Sequence, residues 1–327
     1  MAKLSSQLPS HGLAHIVRRA ARLTADKPIG ENDTGSGRDT NAVGGSLRSG
    51  ALVKFMNLWA ISDLHLGHAA NRKALNSIGR RPKDWLILAG DIGDAEEQLA
   101  DAFAFLQRRF ARLIWTPGNH ELWTTNNTPG SPQAARGEAR YCALVALARS
   151  FGVVTPEDPY PIWPASKRPI VIAPLFTLFD YSFRPDDLAR ADVVEWAAAE
   201  GIASADEMLL HSAPYPDKAA WCAARVTATQ ARLAALPPDY ATVLVNHYPL
   251  EQAHAKLPRV PRFAPWCGTR LTHNWHRRFR AVAVVYGHLH IRRSFEHERV
   301  RFHEVSFGYP GQWDESKTLD SYLRVIL

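Results

Sequence analysis

The sequence predicts an α/β fold that gathers its polar residues at the ends of buried strands, and three observations predict it. Five apolar runs, at residues 58–61, 85–89, 113–115, 242–245 and 281–286, are short and bounded like buried strands. Between the second and third, Ala95, Leu99, Ala102, Phe103, Leu106 and Phe110 recur at helical spacing over 94–110, which gives a β-α-β unit and partly parallel pairing. After the runs come, in order, Asp63-Leu64-His65, Gly90-Asp91, Gly118-Asn119-His120-Glu121, Asn246-His247 and Gly287-His288-Leu289-His290. Strand ends of an open α/β sheet converge on one crevice, so residues spread from Asp63 to His290 can meet there.

The elements follow in order. Residues 28–50 are rich in Gly, Ser, Asn and Asp and lack a core-forming pattern, so residues 1–55 are expected to be a disordered extension. Met56 opens the first strand, and 56–327 is expected to form the folded domain. Residues 133–150 read as a further helix, after a Pro/Gly/Asn-rich loop. Residues 187–236 are alanine-rich and helical, broken at Pro214 and Pro216. The stretch 121–240 lies between the third and fourth motifs, so it includes the expected cap over the site. The last third alternates strand and turn, at 281–286, 291–296 and 299–307.

Composition narrows the function. The 327 residues are 46% hydrophobic, enough for a sizeable core. The formal charge is +7, with ten arginines between Arg259 and Arg301. Read blandly, this is a solvated basic face; read sharply, it is an attractive field for an anionic substrate such as a phosphate ester. A nucleic-acid surface is a third reading, not favoured, because no aromatic-basic recognition motif supports it. Cys142, Cys222 and Cys267 are odd in number and form no CxxC, which points to a reducing, cytoplasmic setting. No apolar run reaches the length of a membrane span, and the N-terminus lacks a secretory apolar core. Nothing in the sequence indicates an oligomeric state.

The motifs carry metal chemistry. Asp63 and His65 alternate at a strand end, which aims both to one side. Gly90 lets the backbone turn tightly beside Asp91. A carboxylate can bridge two cations, so Asp91 is the natural shared ligand. Asn119 offers an amide oxygen, and His247 and His288 offer imidazoles. Oxygen and imidazole donors in this mixture suit two divalent metal ions of the Mn, Fe or Zn type.

The ordered pattern D-x-H, GD-x-x-D, GNH-E, lone H and G-H-x-H, over roughly residues 57–310, resembles that of the calcineurin-like metallophosphoesterases. Asp94 matches the second aspartate of GD-x-x-D-R, but Ala95 replaces the arginine, which weakens a likeness to the protein-phosphatase branch. The resemblance implies a four-layer αββα sandwich, two mixed sheets flanked by helices. It implies one metal on Asp63, His65, Asp91 and His290, and another on Asp91, Asn119, His247 and His288. His120 would act on the leaving group, with Glu121 as the acid that orients it. The implied activity is hydrolysis of a phosphate mono- or diester, small-molecule or nucleotide, by a hydroxide held on two metals. A nuclease of the same superfamily and a metal-binding interaction module without catalysis are the alternatives.

Softer candidates are Trp123, Asn126 and Asn127, then Phe179-Asp180-Tyr181, then Arg292 and Arg293, all more consistent with structural or solvated roles. Residues 306–310 read as a strand end and turn without a catalytic part. His211, His254, His273, His276, His297 and His303 read as structural histidines.

Overall fold

The computed structural model describes residues 56–124 and 135–327. The expected N-terminal extension, Asn126 and Asn127 lie outside these residues. Two sheets form the centre. The first contains β1 (Leu58–Ile61), β2 (Arg81–Leu88), β3 (Phe110–Trp115) and β9 (Arg324–Val325), in the order β3-β2-β1-β9. The second contains β4 (Ile170–Pro174), β5 (Ala241–Val245), β6 (Ala281–Tyr286), β7 (Arg293–His297) and β8 (Val300–Glu304), in the order β4-β5-β6-β8-β7. Pairing is parallel except at the two antiparallel pairs, β1 with β9 and β7 with β8.

The pleat divides the apolar side chains into two cores. Leu58, Ala60, Trp85, Ile87, Ile114, Ile172, Val243, Val245, Ala283 and Val285 share one buried cluster between the sheets. Their neighbours of opposite parity, among them Ile61, Leu86, Leu88, Trp115, Leu244 and Val284, belong to the second cluster with the helices. Both strand faces are therefore covered, as parallel strands require. The flanking helices are α1 (Ala69–Leu75), α2 (Glu96–Leu106), α3 (Asn119–Leu122), α4 (Gly137–Ser150), α5 (Val193–Ala198), α6 (Asp206–Leu209), α7 (Lys218–Ala234) and α8 (Trp275–Arg278).

Helix α2 buries Leu99, Ala102, Phe103 and Leu106, the predicted face, but stops short of Phe110. Phe110 instead starts β3, opposite Arg81 on a β2 that begins earlier than its apolar run. Part of the 121–240 span, where a cap is expected, is built into the sandwich. Helix α4 packs beside α2, and β4 pairs with β5, so both belong to the sandwich. The alanine-rich segment breaks where its prolines fall, and α7 starts after Pro216 with the Asp217 carboxylate accepting from Ala220 N–H at 2.7 Å.

The two sheets are joined at the C-terminal ends of their parallel strands. Ser62 N–H donates to Val305 O at 3.1 Å, and Phe307 N–H donates to Ser62 O at 2.8 Å. This places the loop after β1 beside the loops after β6 and β8.

Candidate active site

The loop after β1 departs from the expected strand alternation. β1 ends at Ile61, and Asp63 (φ 53°) and His65 (φ 43°) lie beyond it in the left-handed region. Their common aim comes from this loop conformation and not from a pleat. Asp91, His288 and His290 also have positive φ, at 55°, 69° and 52°. Left-handed backbone is uncommon for residues with a Cβ, and five such residues around one point store strain that the surrounding bonds must hold. Those bonds are present: Asp63 N–H donates to Gly90 O at 2.9 Å and His65 N–H to Asp91 O at 3.0 Å. His288 N–H donates to the Asp63 carboxylate at 3.1 Å.

Glycine is required where the loops touch. A Cβ on Gly118 would stand 2.0 Å from Asp91 Oδ1, and one on Gly90, at φ 88°, would stand 2.5 Å from His247 Nδ1. Both contacts are far inside van der Waals distance, so any side chain there displaces a ligand candidate.

The predicted ligand residues come together in two groups. In the first, His290 Nε2 lies 3.1 Å from Asp63 Oδ1 and 3.1 Å from His65 Nε2. In the second, Asn119 Oδ1, His247 Nε2 and His288 Nδ1 lie 3.1–3.2 Å from one another. Asp91 Oδ2 is 3.4 Å from His247 Nε2. Donor atoms about 2.0–2.2 Å from one metal ion stand roughly 3 Å apart, so this spacing fits two metal ions. The outer nitrogens fit as well. His247 Nδ1–H donates to Ala89 O at 2.9 Å, and His290 Nδ1–H to Gln312 Oε1 at 2.7 Å. In the neutral rings this leaves a lone pair on each Nε2, pointing into its group.

Electrostatics favour cations here. Burial alone would lower His247, but the Asp91 carboxylate more than offsets it and holds the ring up to about 10. Burial pushes His288 down to about 3 and keeps it neutral. The buried Asp91 carboxylate thus demands positive charge, which an imidazolium or a metal ion can supply.

Glu121 does not touch the His120 ring. Its carboxylate accepts from the backbone N–H groups of Asp91, Ile92 and Gly118 at 2.9, 2.8 and 2.9 Å. It therefore shapes the Asp91 loop, and the sequence-based role of orienting His120 passes to Asp94. His120 Nδ1 is 2.7 Å from Asp94 Oδ1, and its Nε2 is 3.2 Å from the Tyr309 hydroxyl. Burial would lower His120, but Asp91 and the bond to Asp94 hold it up to about 9, so it carries a proton at neutral pH.

Three further residues were not singled out by the motifs. Tyr309 stacks on His65 with ring centroids 4.2 Å apart, so the 306–310 turn enters the site after all. Gln312 anchors His290. Asp206, fully buried on α6, accepts from Asn119 Nδ2 at 3.0 Å and from Trp123 Nε1 at 2.6 Å. That bond turns the Asn119 oxygen toward His247. Tyr309 was legible only as an aromatic near the last motif, and Asp206 carried no signal. Trp123 packs on His120 at 3.7 Å between centroids. The other softer candidates bond to structure: Tyr181 to Glu207, Asp180 to Thr269, Arg292 to Ser306 O and Arg293 to His254 O.

The family model for calcineurin-like phosphoesterases matches residues 56–292, which hold every ligand candidate and His120. The chain belongs to the calcineurin-like phosphoesterase family. As such it is a hydrolase acting on phosphate esters. It is 47% identical over 272 residues, 83% of each chain, to the [acyl-carrier-protein] phosphodiesterase PptH of Mycobacterium tuberculosis. The crystal structure of phosphopantetheinyl hydrolase (PptH) from the same organism superposes with a TM-score of 0.78 at 46% identity, covering 83% of this phosphoesterase and 95% of that chain. Among the described residues no helix is long and apolar enough to cross a membrane.

Proposed function

We propose that this calcineurin-like phosphoesterase cleaves the phosphodiester that joins phosphopantetheine to a carrier protein. The observation that carries the reading is the 47% identity to an acyl-carrier-protein phosphodiesterase over 272 residues, 83% of this chain. The charge of +7 and the arginines of 259–301 suit an anionic protein partner. The three free cysteines suit a reducing cytoplasm.

Asp63, His65 and His290 would hold one metal ion of the Mn, Fe or Zn type, and Asn119, His247 and His288 a second, with Asp91 shared. When bound, the pair would neutralise phosphate charge and activate water. The chain's own residues do the rest. Water adds to phosphorus and gives up a proton to solvent, the bond to the carrier's oxygen breaks, and His120 Nε2 gives that oxygen a proton. Asp94 holds the opposite edge of the ring, so the proton-bearing nitrogen faces the reacting group. Tyr309 and Trp123 keep the ring in place.

Incubation of a phosphopantetheinylated carrier protein with the enzyme and Mn²⁺, followed by intact-mass spectrometry, tests the substrate. Conversion to the unmodified carrier is expected. An unchanged carrier beside ready turnover of p-nitrophenyl phosphate, with none of bis-p-nitrophenyl phosphate, overturns it in favour of a monoesterase.

A further inference from the structure

A second histidine-carboxylate cluster lies away from the candidate active site, among residues read from sequence as structural. Its parts come from three elements of the second sheet's flank. Glu251 and His254 stand three residues apart on one 3₁₀ turn, a spacing that aims both side chains the same way. His276 comes from α8, and His297 ends β7 just before the turn into β8.

We infer that Glu251, His254, His276 and His297 form a third cation site, of the kind that takes Zn²⁺. Glu251, His254 and His297 each bring a ligand atom within 4.8 Å of the others, and so do His276, His297 and Glu298. Glu251 Oε1 is 2.8 Å from His276 Nδ1, which links the two sets. Glu251, His254 and His276 are only 5%, 6% and 1% exposed. Glu251 Oε1 and His276 Nδ1 answer one another as an ion pair, but buried His254 Nδ1 makes no hydrogen bond to any described residue. A buried polar atom without a partner is costly, and one beside a carboxylate and two further imidazoles marks a place where something else satisfies it. Three imidazoles and one carboxylate are a donor set that zinc accepts.

The surroundings support the assignment. His276 Nε2–H donates to the Glu298 carboxylate at 2.8 Å. That leaves Nδ1 as the ligand nitrogen, in the carboxylate–histidine–metal pattern that fixes a ring and raises its basicity. Arg277 pairs with the same carboxylate at 3.1 Å and steadies it. Phe302 forms a wall, with its centroid 4.4 Å from His254 and 5.4 Å from His276. Ligands from a turn, a helix and a hairpin would make the ion a clip on the β7–β8 hairpin.

The full chain, His297→Ala and His254→Gln are dialysed against micromolar Zn²⁺, and bound zinc is measured by plasma mass spectrometry. His297 is exposed, so its replacement leaves the core intact, and circular dichroism checks both variants. Each variant is expected to hold one equivalent less than wild type and to lose part of the zinc-dependent rise in Tm. Equal zinc in wild type and His297→Ala overturns the site. The comparison reads a difference, so it stands whatever the active-site groups bind.

Discussion

His120 and Asp94 meet at 2.7 Å across 26 residues of sequence, and this bond places the His120 ring edge-on to the ligand groups. With Nδ1 held by the carboxylate, Nε2 faces Tyr309 and lies 3.8 Å from Asp91 Oδ2. Asp94→Asn should keep metal content and KM while lowering kcat roughly 10- to 100-fold, the usual weight of a supporting hydrogen bond. A kcat equal to wild type would remove Asp94 from the mechanism.

His120→Ala should bind the metals and phosphate but lose about 10²–10⁴-fold in kcat, the range for general acid catalysis. The loss should be smallest for esters of p-nitrophenol and largest for alkyl esters, which need a proton on the leaving oxygen. Equal losses across leaving groups of widely different pKa would make His120 a positioning residue.

Asp91→Asn is expected to abolish activity and lower occupancy in both ligand groups. Elemental analysis returning two full equivalents of metal would show that Asp91 is not shared.

Metal affinity should depend on pH. His247 is held up to about 10, so the metal-free ring is protonated at neutral pH and must lose its proton to become a ligand. Affinity should therefore rise from pH 6 toward pH 10. Calorimetry in buffers of different ionisation enthalpy should show proton release on Mn²⁺ binding. An affinity flat across that range contradicts the assignment.

A chain beginning at Met56 should fold and retain activity. β1 starts at Leu58, whose amide is already bonded within the domain to Leu327 O at 3.1 Å. A thermal transition lost on truncation would show that the first 55 residues pack against the core.

The sheets were legible because parallel strands covered on both faces read as continuous apolar runs, and the ligand candidates because each follows such a run. β4 escaped notice: Ile170–Pro174 is short and lies between the two stretches read as helical, 133–150 and 187–236. The partners of the ligand candidates were harder to read. Neighbours on a helix point in different directions, so Glu121, next to His120, turns to the Asp91 loop, while Asp94 reaches the ring from another loop. Asp206 and Tyr309 enter through tertiary packing that no local spacing encodes. The left-handed turns at Asp63 and His65 are equally invisible, since only the closed loops dictate them.

Strand β9 lies antiparallel to β1 and covers its outer edge. In a chain made from the N-terminus, β1 leaves the ribosome about 260 residues before its edge partner. β2 and β3 can join β1 soon after it emerges, but the other side of β1 stays open until β9 has emerged. The exposed backbone edge of a growing chain is then a place for a chaperone to hold or for two nascent copies to pair. Stalled or shortened chains that lack β9 should therefore aggregate through β1.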